Sequence, residues 1–416
     1  MSQAVSSISP GIDFRRVRDQ FPVLRQEVYG HPIVYLDNAA SSQMPDQVAD
    51  RMDHYHRYEH ANVHRGIHFL SQEATTAYEE TRTLTQTFIG AEKSEEIIFT
   101  TGTTDSINLV ASSYGRLHFR EGSEIILSEM EHHANIVPWQ LIAEQTGARI
   151  RVIPMTDAGD LDLQAYRSLL NERTALVAVT HVSNALGTVN PVEEMTAMAH
   201  DAGAVILVDG AQAAPHRPVD VQEIGCDFYV FSSHKMCGPT GFGILYGKEE
   251  WLSGMPPYRG GGDMIDRVTF EQTTYNIPPH RFEAGTPPIA AGIGFGEAIR
   301  YLNQIGMEPI AKREEELLAY TESTLAELEG VRILGSPKER ASSVSFLVDD
   351  IHPQDTGTIL DKHGVAIRTG HHCAQPVMDR FGVSATARAS VAFYNNESDI
   401  DRLADGIREL KTFFKS

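Results

Sequence analysis

Six short apolar or β-branched runs recur between residues 96 and 231, with helical patterns between most of them. This rhythm constrains the fold more than any other feature of the chain. The runs are Glu96–Thr101, Glu124–Leu127, Arg149–Ile153, Leu176–Thr180, Val205–Val208 and Phe228–Phe231; the helical patterns include Asp105–Ser113, Trp139–Glu144 and Val192–Asp201. Near-continuous apolar strands alternating with helices predict a parallel sheet covered on both faces. Ligands of such sheets sit outside the carboxyl ends of the strands. From about Ala290 the texture changes to an amphipathic stretch at Ile310–Leu328, strands at Arg332–Leu334 and Ser343–Val348, and helices at Asp355–His363 and Asp399–Phe414. That order predicts a second, α+β domain. The expected division is a segment 1–32 packing on the second domain, a large domain 33–290 and a small domain 291–416.

Charge and cysteine usage narrow the functional classes. The 416 residues carry 35 Lys+Arg against 56 Asp+Glu, a formal charge of −21. Unspecific binding to nucleic acid or to an anionic membrane surface needs a cationic surplus, so both partner classes are excluded. No apolar run approaches the ~20 residues that span a bilayer, and Met1–Gly11 lacks the basic flank and apolar core of a secretory signal. A soluble cytoplasmic chain is expected. Cys226, Cys237 and Cys373 are too few and too scattered for a disulfide framework and are read as reduced thiols.

The chemistry-bearing residues gather at predicted strand ends. Thr101-Gly102-Thr103-Thr104-Asp105 follows one strand and opens a helix, where unpaired N–H groups and the helix dipole favour an anion such as a phosphate. An ordinary hydroxyl cap is the alternative for that stretch. Val205–Val208 leads into Asp209-Gly210-Ala211-Gln212. One strand later, Phe228–Phe231 leads into Ser232-Ser233-His234-Lys235 and a turn punctuated by Gly238, Gly241 and Gly243. A lysine and a carboxylate at neighbouring strand ends suit a Schiff base with an aldehyde cofactor and a partner for its protonated ring nitrogen.

Taken with other strings in the same order, these residues resemble a known family over nearly the whole chain. The strings are YLDNAAS (35–41), VHRGIH (63–68), TGTTDSIN (101–108), MEHHANIVPW (130–139), THVSNALGT (180–188), VDGAQ (208–212), FSSHKMCGPTG (231–241), RFEAGTP (281–287) and RTGHHCAQP (368–376). The chain is similar to the pyridoxal-phosphate cysteine desulfurases of the SufS type, in the class V aminotransferase-like branch of fold type I. The resemblance implies an α/β fold: a large domain with a mainly parallel seven-stranded sheet, and a smaller α+β domain that carries the nucleophile loop.

It also implies roles for particular residues. Lys235 would carry the pyridoxal phosphate and, once freed, act as the base at the substrate Cα. Asp209 would keep the pyridine nitrogen protonated, and Gln212 would bond the phenolate oxygen. His132 would stack on the ring, with His133 beside it as the alternative. Thr103, Thr104, Ser232 and His234 would cup the phosphate. Asn184 and Arg388, with Arg368 near the thiol, would bind the substrate carboxylate. Cys373, beside two imidazoles, would take the substrate sulfur as a persulfide and leave alanine, whereas Cys226 and Cys237 are packing residues. Arg65 and Thr286 would reach the neighbouring subunit's site in a homodimer with shared active sites. No metal ligands are assigned.

The loop RTGHHCA is the short SufS type, which implies sulfur transfer to a docked acceptor, SufE-like or SufU-like, in the service of iron–sulfur cluster assembly. Relatives that use a zinc-bearing SufU-like acceptor tend to read IHPHD where this chain has Ile351-His352-Pro353-Gln354, so Gln354 favours the SufE-like partner. Selenocysteine lyase or cysteine sulfinate desulfinase activity, and a non-catalytic scaffold of the same fold, are the alternatives carried forward.

Overall fold

The computed structural model describes residues 12–415. Its centre is a seven-stranded sheet of β1 (Ile97–Thr100), β2 (Glu124–Ser128), β3 (Arg149–Ile153), β4 (Thr174–Thr180), β5 (Val205–Asp209), β6 (Phe228–Ser232) and β7 (Gly243–Gly247), in the order β1-β7-β6-β5-β4-β2-β3. Neighbours from β6 to β3 run parallel, while β7 is antiparallel to both β6 and β1. The expected mainly parallel α/β architecture is therefore what forms. Strand β7 stood outside the sequence rhythm because its five residues, GILYG, are bracketed by glycines that dilute the apolar signal.

Alternation along each strand divides the sheet between two cores. Leu207 and Val230 face one core, with Ile107, Val110 and Tyr114 of α2 (Thr103–His118) and Trp139 and Ile142 of α3 (Val137–Thr146). Ile206, Val208, Tyr229 and Phe231 face the other. There they meet Tyr78 of α1 (Phe69–Phe88), Met195 of α4 (Val192–Asp201) and Phe295 of α5 (Ile289–Ile305). Both faces are thus covered, which explains why the strands read as apolar throughout.

Helix α5 begins where the sequence texture changes, yet it packs on the large domain through glycines. A Cβ on Gly292 would lie 2.4 Å from the Tyr78 ring, and one on Gly296 would lie 2.4 Å from Thr81 Oγ1. A separate core follows, built by β8 (Val331–Ile333), β9 (Ser343–Val348), β10 (Arg368–Gly370) and β11 (Thr386–Ser390) in the antiparallel order β8-β9-β11-β10. Helices α6 (Met307–Ala326), α7 (Pro353–Lys362) and α8 (Glu397–Lys415) cover it with Leu317, Leu360, Leu403 and Ile407.

The N-terminal part of the chain is fastened to this second core. Val34–Tyr35 pairs in parallel with Val365–Ala366, and Arg18 grips Asp399 through Nη1 (2.8 Å) and Nη2 (3.1 Å). Phe21, by contrast, packs in the large-domain core, against Phe393, Tyr394 and Tyr301. The leader expectation for Met1–Gly11, and the start of the 1–32 segment with it, lie outside the described residues. Among the described residues no helix is long and apolar enough to cross a membrane.

Candidate active site

A cavity of about 260 Å³ opens at the carboxyl ends of β4, β5 and β6 and is closed from above by the loop after β10 and by β11. It gathers Thr103, Thr104, His132, Asn184, Asp209, Gln212, Ser232, His234, Lys235, Arg368, Cys373 and Arg388 on one wall or another. Of the residues singled out for the site from the sequence, Arg65, Thr286 and His133, the alternative to His132, stay out of it. Thr286 borders a second cavity with Tyr258, Asp263 and His280, and Arg65 pairs with Asp263 at 2.6 Å.

Strand β5 ends on Asp209, and β6 runs into a single 3-10 turn, Ser233–Lys235. These neighbouring parallel strands deliver the carboxylate and the amine to the same floor. Asp209 Oδ1 accepts the Ala211 N–H at 2.9 Å. Burial raises the Asp209 carboxyl, opposed by that bond and by the Lys235 charge. Lys235 makes no hydrogen bond or ion pair among the described residues. The protein around it withholds bulk solvent, and this desolvation foremost lowers its ammonium from 10.5 to about 8, against the pull of Asp209 and with repulsion from Arg388 and Arg368.

The far end of the floor is built for an anion. Gly102, at φ 150°, opens α2, which has no side-chain cap. The first helical N–H and the hydroxyl of Thr103 both meet Ser232 Oγ, at 2.8 and 2.7 Å, and the N–H groups of the next residues have no carbonyl within the helix to meet. Thr103, Thr104, Ser232 and His234 surround a recess open to the same end.

The wall carrying His132 settles which of the adjacent imidazoles enters. His132 lines the cavity, and its Nδ1 accepts the Ala134 N–H at 3.0 Å. Burial, followed by the Lys235 charge, drops it to about 3, so the ring is neutral at physiological pH. His133 lies outside the cavity: its Nε2 accepts the Gln375 N–H at 3.3 Å, and its ring leans on His371, 5.4 Å between centroids.

The roof is a cationic pair under one carboxylate. Arg388, 2% exposed, bonds Asp37 Oδ1 through Nη2 (3.1 Å) and the Asn184 carbonyl through Nη1 (2.7 Å). Asn184 Nδ2 in turn donates to the His372 carbonyl at 2.6 Å, so this side chain fastens the Cys373 loop. His372 and Cys373 both take left-handed backbone, φ 52° and 55°. The loop holds them there through the bond from the His133 N–H to the Cys373 carbonyl, 2.7 Å.

Residues 34–403 match the sequence profile of the family Aminotransferase class-V. The chain belongs to this family. Curated relatives include a probable cysteine desulfurase of Halalkalibacterium halodurans, 51% identical over 96% of this chain and 98% of its own length. A cysteine desulfurase of Dickeya dadantii is 52% identical over 95% and 96%. Among solved structures, the cysteine desulfurase CsdA of Escherichia coli superposes with a TM-score of 0.91 at 36% identity, covering 97% of this chain and 99% of that one. The apo cysteine desulfurase of Thermococcus onnurineus NA1 gives 0.88 at 42% identity, covering 93% and 97%.

Pyridoxal phosphate is the cofactor of this class-V chain, and the cavity fits it on its own terms. Gln212 donates to the Ala39 carbonyl (2.7 Å) but leaves its buried Oε1 unpartnered, and Lys235 is an unpaired amine facing Asp209. An aldehyde for the amine, a protonated ring nitrogen for Asp209 and a dianion for the helix end supply what these groups lack.

Two contributors escaped the sequence reading. Asp37 lay within YLDNAAS without a role, and the signal available was a charge directly after the apolar run Ile33–Leu36. Glu131 is fully buried beside His132 and accepts Ser128 Oγ, the Thr180 N–H and Asn135 Nδ2 at 2.5, 3.0 and 2.7 Å.

Proposed function

We propose that this chain is a pyridoxal-phosphate-dependent cysteine desulfurase in which Cys373 takes the substrate sulfur, so that L-cysteine and the thiol become L-alanine and a persulfide, Cys–S–SH. The observation that carries this reading is that Cys373 enters the same cavity as Lys235, beneath Arg388 and Arg368. Bound pyridoxal phosphate withdraws electrons from the substrate Cα, and the protein does the rest. Lys235, with its amine brought down to about 8, can take a proton from Cα and return one near neutral pH. Asp209 is placed to hold a proton on a ring nitrogen, and neutral His132 offers a face without adding charge. Thr103, Thr104, Ser232 and His234 fit a phosphate. Arg388 and Arg368 outnumber Asp37, so the roof favours a carboxylate.

The functional unit is a homodimer. Ile67 and Phe69, close in sequence to Arg65, and Phe270 and Ile277, on the stretch between Asp263 and His280 of the cavity of Thr286, leave apolar surface in water, which supports these elements completing a neighbour's site. The working division remains segment 1–32, domain 33–290 and domain 291–416, with α5 as the bridge. Cytoplasmic location, delivery of sulfur to iron–sulfur assembly and a SufE-like acceptor follow the family resemblance. Gln354 on α7 is the residue that favours this acceptor over a SufU-like one.

The test is alanine release from L-cysteine with mass mapping of the persulfide. Lys235→Ala is expected to abolish alanine release, and Cys373→Ala to abolish the persulfide. A persulfide on Cys226 or Cys237, or normal alanine release from Lys235→Ala, overturns the assignment.

A further inference from the structure

We propose that His133, His371 and Cys373 form a binding site for Zn²⁺ at the rim of the cavity, and that an ion held there silences the thiol. One nitrogen from each ring and the Cys373 Sγ lie within 4.8 Å of one another. Tetrahedral ligation at about 2.0–2.3 Å places ligand atoms about 3.5 Å apart, so closing on an ion takes side-chain movement of about an ångström. Two imidazoles and a thiolate are a zinc donor set, and three protein ligands leave the fourth position open to water.

The framework for this trio exists without an ion. The His133 N–H donates to the Cys373 carbonyl, which ties the two ligand-bearing loops together at 2.7 Å. Asn184 holds the intervening His372 carbonyl. The bonds that occupy the rings are the long ones, Cys373 N–H to His371 Nδ1 at 3.1 Å and Gln375 N–H to His133 Nε2 at 3.3 Å. An ion that takes one of these nitrogens displaces a single backbone bond, while the His133–Cys373 and Asn184–His372 bonds keep the loops in register. His371 is exposed and His133 and Cys373 are half-buried, so the ion has a path from solvent.

Binding exchanges the thiol proton for the metal: Cys–SH and Zn²⁺ give Cys–S–Zn⁺ and H⁺, with no change of oxidation state. Affinity therefore rises with pH. A sulfur lone pair engaged by zinc is withdrawn from attack on substrate, and a chelator restores it. The silencing of turnover rests on the reading of Cys373 as nucleophile; the binding site does not.

The experiment uses the chelator-treated holoenzyme, Zn²⁺ as the probe and iodoacetamide as the thiol reporter. Cys226 and Cys237 are 0% and 2% exposed, so Cys373 is the thiol that reacts. One zinc per chain is expected by equilibrium dialysis. At free Zn²⁺ ten times its Kd, alkylation should slow about tenfold. His371→Ala and Cys373→Ser should each lose that equivalent, and His133→Ala provides a second ring deletion. An unprotected wild-type thiol at saturating zinc, or an equivalent retained in both His371→Ala and Cys373→Ser, overturns the site. Protection of the thiol without inhibition of alanine release upholds the site and overturns Cys373 as nucleophile instead.

Discussion

Arg368 and Arg388 stand directly opposite each other across the antiparallel pair β10–β11, and Asp37 is the carboxylate between them, 3.9 Å from the first and 3.1 Å from the second. Like charges in direct cross-strand register repel by up to ~1 kcal/mol, whereas stripping the partner from a buried charge costs about 3–5 kcal/mol. Arg388 is the buried member, and desolvation already lowers it to about 10. Asp37→Asn is expected to destabilise the protein by about 3 kcal/mol, read as a fall in the urea midpoint at unchanged slope. Adding Arg368→Gln should shrink that loss by removing the repulsion. Equal losses with and without Arg368 would show that Asp37 acts on Arg388 alone.

Three histidines, His181 buried and His132 and His234 half-buried, make stability sensitive to mild acid. His132 and His181 are held at about 3 and His234 at about 4, each lowered from 6.5 by burial first. Because the folded values lie below the unfolded one, the unfolded chain takes up protons first as pH falls through 6.5. Stability is therefore full above that pH and lost progressively towards the folded values. Each histidine contributes a slope of about 1.4 kcal/mol per pH unit once the unfolded form is protonated. Urea unfolding at pH 7, 6 and 5 measures it, and stability that stays flat across that range would refute the claim. His181→Asn should lower the slope by one proton.

Glu131 ties the His132 turn to the sheet. Its carboxyl satisfies a hydroxyl on the last residue of β2, the final N–H of β4 and the Asn135 amide, which accepts the Trp139 indole at 2.9 Å. The Thr180 N–H and the Asn135 NH₂ meet different carboxyl oxygens and neither can accept, so Glu131→Gln turns an NH₂ toward one of them and leaves a buried donor unmet. A loss of about 1–3 kcal/mol is expected, with weaker retention of pyridoxal phosphate measured by dialysis and absorbance. Unchanged stability would mean that the network rearranges freely.

How much of this was legible in the sequence depended on how local the signal was. Asp209 and Lys235 could be placed because one ends and the other closely follows an apolar run, and the strand end itself dictates the crevice. His132 could not be separated from His133, since adjacent residues differ only in which way the turn aims them, and the bonds from Ala134 and Gln375 decide it. The Arg368–Arg388 register was invisible because Arg368–Gly370 is a three-residue strand and Thr386–Ser390, TARAS, has no apolar run to announce it. Asn184 was expected to touch substrate and does line the cavity; that its amide also holds the His372 carbonyl is revealed only by a contact between residues 188 positions apart in the chain.

Gly243 tests the coupling between sheet and phosphate turn. A Cβ built there would come within 2.4 Å of Gly102 Cα and 2.7 Å of its carbonyl carbon and nitrogen. The obstacle is backbone, so no side chain can rotate away. Gly243 itself is not among the positive-φ glycines, and alanine there incurs no conformational strain of its own. The whole effect of Gly243→Ala is therefore a push on the turn that opens α2. Overpacking of this kind costs about 1–3 kcal/mol, and it moves the Thr103 N–H away from Ser232, where the phosphate is expected to sit. Gly243→Ala should lower both the urea midpoint and the affinity for pyridoxal phosphate. Gly254→Ala, with nothing within 4 Å of its added Cβ, is the control for alanine substitution as such. A Gly243→Ala protein that loses stability while binding pyridoxal phosphate as tightly as before would separate the two and exclude Gly102 from the phosphate end of the site.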